Sequence, residues 1–167
     1  GGFAEEGGLL AALAATVWWC RRRGVAFWVF ADAVTPGVAL GQALARVGAL
    51  LGGAGYGTPT TLLWAITFFD PNASVPLGIP LHPTQAYESL AGLLLTGLLL
   101  LAERWTRPGQ LFLLLLMGLG LQRSGFDLVR GDAIWITDWV TSGQVAGAIV
   151  FVGATTCILR RRHREAA

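Results

Sequence analysis

Arg46, Arg123 and Arg130 lie within or against long apolar stretches of the chain. The other nine of its twelve cations gather at the ends of such stretches, as Arg21 to Arg23, Arg104 with Arg107, and Arg160 to Arg162 with Arg164. A guanidinium held in hydrocarbon costs at least about 2.5 kcal/mol and normally faces a polar cavity with a partner, so the first three are functional candidates and the nine are topological. Arg123, Asp127 and Arg130 are spaced i, i+4 and i+7, which sets them on one helical face. An Arg123–Asp127 pair explains part of this pattern, but one carboxylate cannot neutralise two guanidiniums, and Arg46 is left without a partner. The surplus positive charge is expected to bind a phosphate, whose oxygens match the planar fork of arginine. A second group, His82-Pro83-Thr84-Gln85-Ala86-Tyr87-Glu88, places five hydrogen-bonding side chains in seven residues just before an apolar run. It reads either as a helix cap with a salt bridge or as part of a site, with Gln85 and Glu88 serving free amides and nearby arginines.

The elements that must position these residues follow from composition. With 54% hydrophobic and 13% charged residues among 167, the chain is too apolar for a soluble domain and reads as an all-α polytopic membrane protein forming a single membrane domain over 1–167. About five transmembrane helices are expected, near 7–20, 26–50, 84–103, 109–128 and 141–159, with an arm or lid over about 53–81 that carries Tyr56, Trp64, Phe68 and Phe69. Arg46 is expected near the outer end of the second span, and lower if Pro36 and Gly37 break that helix. Placing Arg21 to Arg23 in the cytoplasm puts all three arginine groups on that side, leaves the C-terminus cytoplasmic, and opens the outer layer toward the opposite leaflet. At about 1.5 Å per residue, Glu5 and Glu6 lie about 24 Å above Arg22, and Arg123 about 22 Å above Pro108. Every out-of-place polar residue thus converges on one outer-leaflet layer. The basic residues form no broad face, so no nucleic-acid partner is expected. Cys20 and Cys157 show no metal spacing and read as packing residues, while Ser124, Gly118, Gly120 and Gly125 are expected at close helix contacts. No metal or cofactor is called for. No signal peptide is read before the first apolar run, and the glycine at position 1 reads as the start of a fragment.

The order of motifs resembles the bacterial prolipoprotein diacylglyceryl transferase family over about residues 2–160. His82 to Glu88 is similar to that family's His-Pro-Ser-Gln-Leu-Tyr-Glu motif, with Thr84 for Ser and Ala86 for Leu. Asp32, Pro36, Gly41 and Ala45-Arg46-Val47-Gly48 resemble its upstream arginine signature, with Gly53 and Gly57 fitting the glycines beyond. Arg123, Asp127 and Arg130 resemble its Arg-x-x-x-Glu-x-x-Arg pattern with Asp for Glu, and Ser142-Gly143-Gln144 its final helix opening. Three positions depart: Glu6 stands at a family histidine, Ala49 at an asparagine and Leu119 at a tyrosine.

The resemblance implies transfer of a diacylglyceryl group from phosphatidylglycerol to the lipobox cysteine of a lipoprotein precursor, in the inner membrane, with the site facing the periplasmic leaflet. It implies phosphate binding by Arg46 and Arg123, with Arg130 at the rim and Gln85, Tyr87, Glu88 and Asp127 completing the substrate contacts. The catalytic residues implied are Arg123 at the leaving group and Glu6 or His82 as the base. The alternative is a non-catalytic relative that binds anionic phospholipid or serves as a subunit of a membrane complex.

Overall fold

A computed structural model describes the backbone of residues 2–166 and the side chains of residues 8, 11–161 and 163. Five helices follow the five apolar stretches: α1 (Gly2–Arg23), α2 (Phe27–Gly52), α3 (Thr84–Ala102), α4 (Gln110–Phe126) and α5 (Ser142–Ala166). Two small antiparallel ribbons join them. β1 (Ile66–Thr67) pairs with β2 (Pro80–Leu81) in the arm, and β3 (Trp135–Thr137) pairs with β4 (Val140–Thr141) between α4 and α5.

The bundle has the polarity of a membrane protein, with polar groups inside and apolar groups outside. On α3 the buried side includes Gln85, Glu88, Ser89, Gly92 and Thr96, while Leu90, Leu94, Leu98 and Leu101 are all more than half exposed. In water such an outer surface would be untenable; against lipid it is the ordinary arrangement. Among the described residues, Phe27–Gly52, Thr84–Trp105 and Ser142–Arg161 are long and apolar enough to cross a membrane, and Gln110–Phe126 is a shorter apolar helix. The fold is therefore that of an all-α polytopic membrane protein.

Small residues let the helices approach closely. Ala31, Thr35, Ala39 and Ala43 recur every fourth residue on α2 and are buried; a Cβ added at Gly92 of α3 would stand 2.9 Å from that of Ala43. Helices α4 and α5 make the most extensive contact, with Gly120 and Gly147 each so near the other's carbonyl that a Cβ would come within 2.6 and 2.5 Å. Gly118 packs on Leu95 in the same way. Gly125 does not, because the space beside it is open. Nor are both cysteines packed inside: Cys20 is buried, whereas Cys157 lies on the apolar exterior of α5.

Pro36 does not break its helix. Helix α2 runs unbroken through it, at the loss of one backbone bond to the carbonyl four residues back. The Thr35 hydroxyl donates to the neighbouring Ala31 carbonyl (2.8 Å), and packing against α3 and α4 supports the helix across the gap.

The arm leaves α2 at Gly53, whose φ of 74° ends the helix with its N–H on the Ala49 carbonyl. Residues 56–58 then lie between two other segments. Gly57 N–H donates to His82 and Thr58 N–H to Val129, while Gly131 N–H donates back to Tyr56. This hub closes the end of the bundle away from the three arginine groups.

Candidate active site

Three helices each contribute one stripe to a common cavity of about 180 Å³, which is several times the roughly 30 Å³ a water occupies in the liquid. From α2 come Ala39, Gln42, Ala43 and Arg46; from α3, Glu88, Gly92 and Leu95; from α4, Leu119, Gln122, Arg123 and Phe126. Each set repeats at three and four residues, so each is one face of a helix. Arg46 and Arg123, 77 positions apart in the sequence, share this space.

The carboxylates alter the expected charge balance. Arg46 is not without a partner, since Glu88 Oε2 stands 2.7 Å from its Nε, and Glu88 Oε1 reaches Arg130 Nη1 at 3.5 Å. Sequence spacing hid this because the pair bridges α2 and α3. Asp127 is 1% exposed, with Oδ1 3.7 Å from Arg123 Nη2 and 3.9 Å from Arg130 Nε, while Oδ2 accepts the Thr141 hydroxyl. Gly143 makes this possible, because a Cβ there would fall 2.5 Å from Oδ2. Arg130 spends Nε and Nη2 on Asp132 in a two-pronged bond of 2.9 and 3.0 Å. Just beyond α4, burial works to lower the Arg130 guanidinium, but the Asp132 bond and the charges of Asp132, Glu88 and Asp127 outweigh it and raise the group above its ordinary value. It is a permanent cation.

The charged side chains that line the cavity are therefore two guanidiniums and one carboxylate, with Arg130, Asp127 and Asp132 behind them. Arg123 meets its carboxylate only at 3.7 Å, beyond hydrogen-bond length, and its side chain is 42% exposed. Glu88 Oε2, Asp127 Oδ1 and Arg130 Nη1 are buried with no hydrogen-bond partner among the described residues, although each lies at ion-pair distance from an opposite charge. The cluster holds itself by charge while leaving hydrogen-bonding capacity unspent.

A second, larger and mostly apolar chamber of about 570 Å³, widely open to the outer surface, adjoins the first and shares Gln122 and Phe126 with it. His82, Tyr87 and Gly125 line it. His82 Nδ1 is buried and without a hydrogen-bond partner among the described residues, its ring set edge-on to Tyr87 at 6.2 Å. The Tyr87 hydroxyl accepts from Trp64 Nε1 of the arm at 2.7 Å. Gln85 lines neither cavity; it is buried, and its Nε2 donates to the Ala54 carbonyl at 3.0 Å, beside a 2.7 Å bond from Thr84 to Gly55. Its amide ties the arm to α3. The Glu6 side chain lies outside the described residues. Gln42 and Gln122 escaped the sequence reading, although Gln42 stands one turn before Arg46 and Gln122 next to Arg123.

Fold and site together define a polytopic membrane protein with an arginine-and-carboxylate cavity near one end of its helices, beside an apolar chamber. The chain belongs to the prolipoprotein diacylglyceryl transferase family, whose pattern it matches over residues 1–160. Among proteins named phosphatidylglycerol–prolipoprotein diacylglyceryl transferase, it is similar to that of Finegoldia magna, 34% identical over 99% of this chain and 63% of the relative. It is also similar to that of Bacillus velezensis, 31% identical over 98% and 62%, and that of Polynucleobacter necessarius, 38% identical over 74% and 46%. The chain thus spans about three-fifths, or less, of the length of the curated relatives it matches.

Proposed function

We propose that this protein takes part in moving a diacylglyceryl group from phosphatidylglycerol to the lipobox cysteine thiol of a lipoprotein precursor. One observation carries the reading: Arg46 and Arg123 face a single cavity with donors to spare. In the reaction the thiol sulfur attacks the glyceryl carbon, the carbon–oxygen bond to phosphate breaks, and glycerol phosphate leaves with the electron pair. Arg46 and Arg123 bind the phosphate and stabilise the charge that grows on it, an effect strengthened where water is sparse. Glu88 keeps Arg46 aimed, and Arg130, anchored by Asp132, positions Glu88 and Asp127 from behind. The adjoining apolar chamber receives acyl chain, which keeps water from the carbon under attack.

The thiol proton must go to a base. His82 is assigned this role ahead of Glu6, since its buried Nδ1 has no hydrogen-bond partner among the described residues and the residue lines the chamber next to the arginines. The membrane domain holds five spans with the C-terminus in the cytoplasm, so that the cavity opens in the periplasmic leaflet of the inner membrane. This follows from the arginine groups at the far helix ends, where Arg161 stacks on Trp28 and Arg104 on Trp105 at 4.0 Å each.

The test uses the chain in vesicles containing phosphatidylglycerol and a lipobox peptide. Arg123→Ala is expected to lower peptide lipidation at least about 100-fold, the scale on which loss of one transition-state donor acts, with insertion unchanged. Lipidation equal to wild type excludes Arg123 as the phosphate ligand. Leu119 on the cavity wall, where the family resemblance places a tyrosine, favours a second reading, a relative that binds the lipid without turnover. That reading predicts Arg123-dependent phosphatidylglycerol binding with no peptide lipidated by the wild type.

A further inference from the structure

The β3–β4 ribbon has no side chain in either cavity. With strands of three and two residues it has no interior of its own, and Ile134, Trp135, Ile136 and Trp139 are 72, 56, 59 and 86% exposed. So short a hairpin is marginal in water, and four large apolar side chains turned outward make it worse. We propose that this hairpin is an interfacial anchor, seated in the headgroup layer of the lipid leaflet at the cavity end of the bundle, with Trp135 and Trp139 entering the lipid.

Chain length alone puts it there. From Arg160 back to Ser142, α5 rises by 18 residue steps, about 27 Å, close to the thickness of the hydrocarbon. With the arginines at one polar boundary, Thr141 and the ribbon next to it stand at the other. Side-chain chemistry agrees, because tryptophan is the residue whose amphipathic ring favours this boundary. The single charged side chain within the ribbon is Asp138 at its turn, and Asp132 before it is committed to Arg130. Exposed apolar side chains also flank the ribbon in the chain, with Leu128 before it and Val145 and Ile149 after it. Lipid, not a soluble protein, is the occupant that suits exposed tryptophan and isoleucine beside the apolar outer faces of membrane helices.

The two roots of the ribbon are tied to the charged cluster. Asp132 holds Arg130 at one root, the Thr141 hydroxyl holds Asp127 at the other, and Ser142 N–H donates to the Ile134 carbonyl across them (2.8 Å). Seating the ribbon in the leaflet therefore fixes the height of the carboxylates that position the arginines. The inference needs only the membrane class of the fold and stands whether or not the transferase reading does.

Tryptophan fluorescence of the full chain in phosphatidylcholine vesicles tests it. Subtracting the emission of Trp139→Phe from that of the wild type isolates Trp139. Vesicles of lipid brominated high on the acyl chain are expected to quench that component about two-fold or more, and aqueous acrylamide to quench it several-fold less than a water-exposed indole, as for an interfacial ring. Trp135→Phe gives the same reading independently should the first variant fail to fold. Emission untouched by bromolipid and open to acrylamide overturns the proposal in favour of a solvated ribbon. Emission shielded from both, with cross-linking between copies that rises with protein-to-lipid ratio, overturns it in favour of a protein contact.

Discussion

Glu88 is the residue through which the two halves of the charged cluster meet, since its two oxygens face Arg46 of α2 and Arg130 beyond α4. It is 7% exposed, and removing one member of a buried ion pair leaves the other's charge uncompensated, at a cost of about 3–5 kcal/mol when both are fully buried. Because the Arg46 side chain is 32% exposed, Glu88→Ala is expected near the bottom of that range, read as a lowered unfolding midpoint in detergent, with Glu88→Gln milder. An unchanged midpoint for Glu88→Ala would show that Arg46 does not depend on it. Gly143→Ala separates position from stability. Its new methyl displaces the Asp127 carboxylate from Thr141, so peptide lipidation is expected to fall about ten-fold or more, the effect of a small misplacement at a reacting site. Full activity in this variant would remove Asp127 from the machinery.

At the scale of elements, the start of α4 is capped from another helix. The Asp32 carboxylate of α2 accepts from the N–H groups of Gly109 and Phe112, the latter at 2.8 Å, across a sequence separation of 77 to 80 residues. These amides have no helical carbonyl to bond. Asp32→Ala is expected to destabilise the bundle by about 1–2 kcal/mol, as loss of an N-cap does, and thermal melting in detergent will show it. Helices α4 and α5 depend instead on absence of bulk. A side chain at Gly147 meets the Gly120 carbonyl, a backbone atom that cannot rotate away, so Gly147→Val is expected to cost about 1–3 kcal/mol through overpacking and to loosen the position of Arg123. Wild-type melting of that variant would show that the two helices have room to spare.

For the whole molecule, the governing fact is inverted polarity: carboxylates, glutamines and arginines lie between helices whose outer faces are leucine and valine. The proposed orientation follows from the three arginine groups and is open to labelling. In a Cys157→Ala background, with Cys20 buried, Asn72→Cys on the exposed arm is expected to react with an impermeant maleimide applied to the periplasmic face. His163→Cys is expected to react only after permeabilisation. The reverse pattern would invert the orientation and place the cavity in the other leaflet.

Membrane class and the run of apolar helices were legible in the sequence because transfer from water to lipid adds up residue by residue along a stretch, and a misplaced cation such as Arg46 or Arg123 stands out against it. The motif around His82 marked one end of the same layer. The pairing of Arg46 with Glu88, the use of Gln85 to hold the arm, the continuity of α2 through Pro36, and the chamber shared across Gln122 and Phe126 were decided by tertiary structure alone. Charge contacts fall off over a few ångströms, and those ångströms are set by how closely the alanine and glycine stripes of separate helices approach.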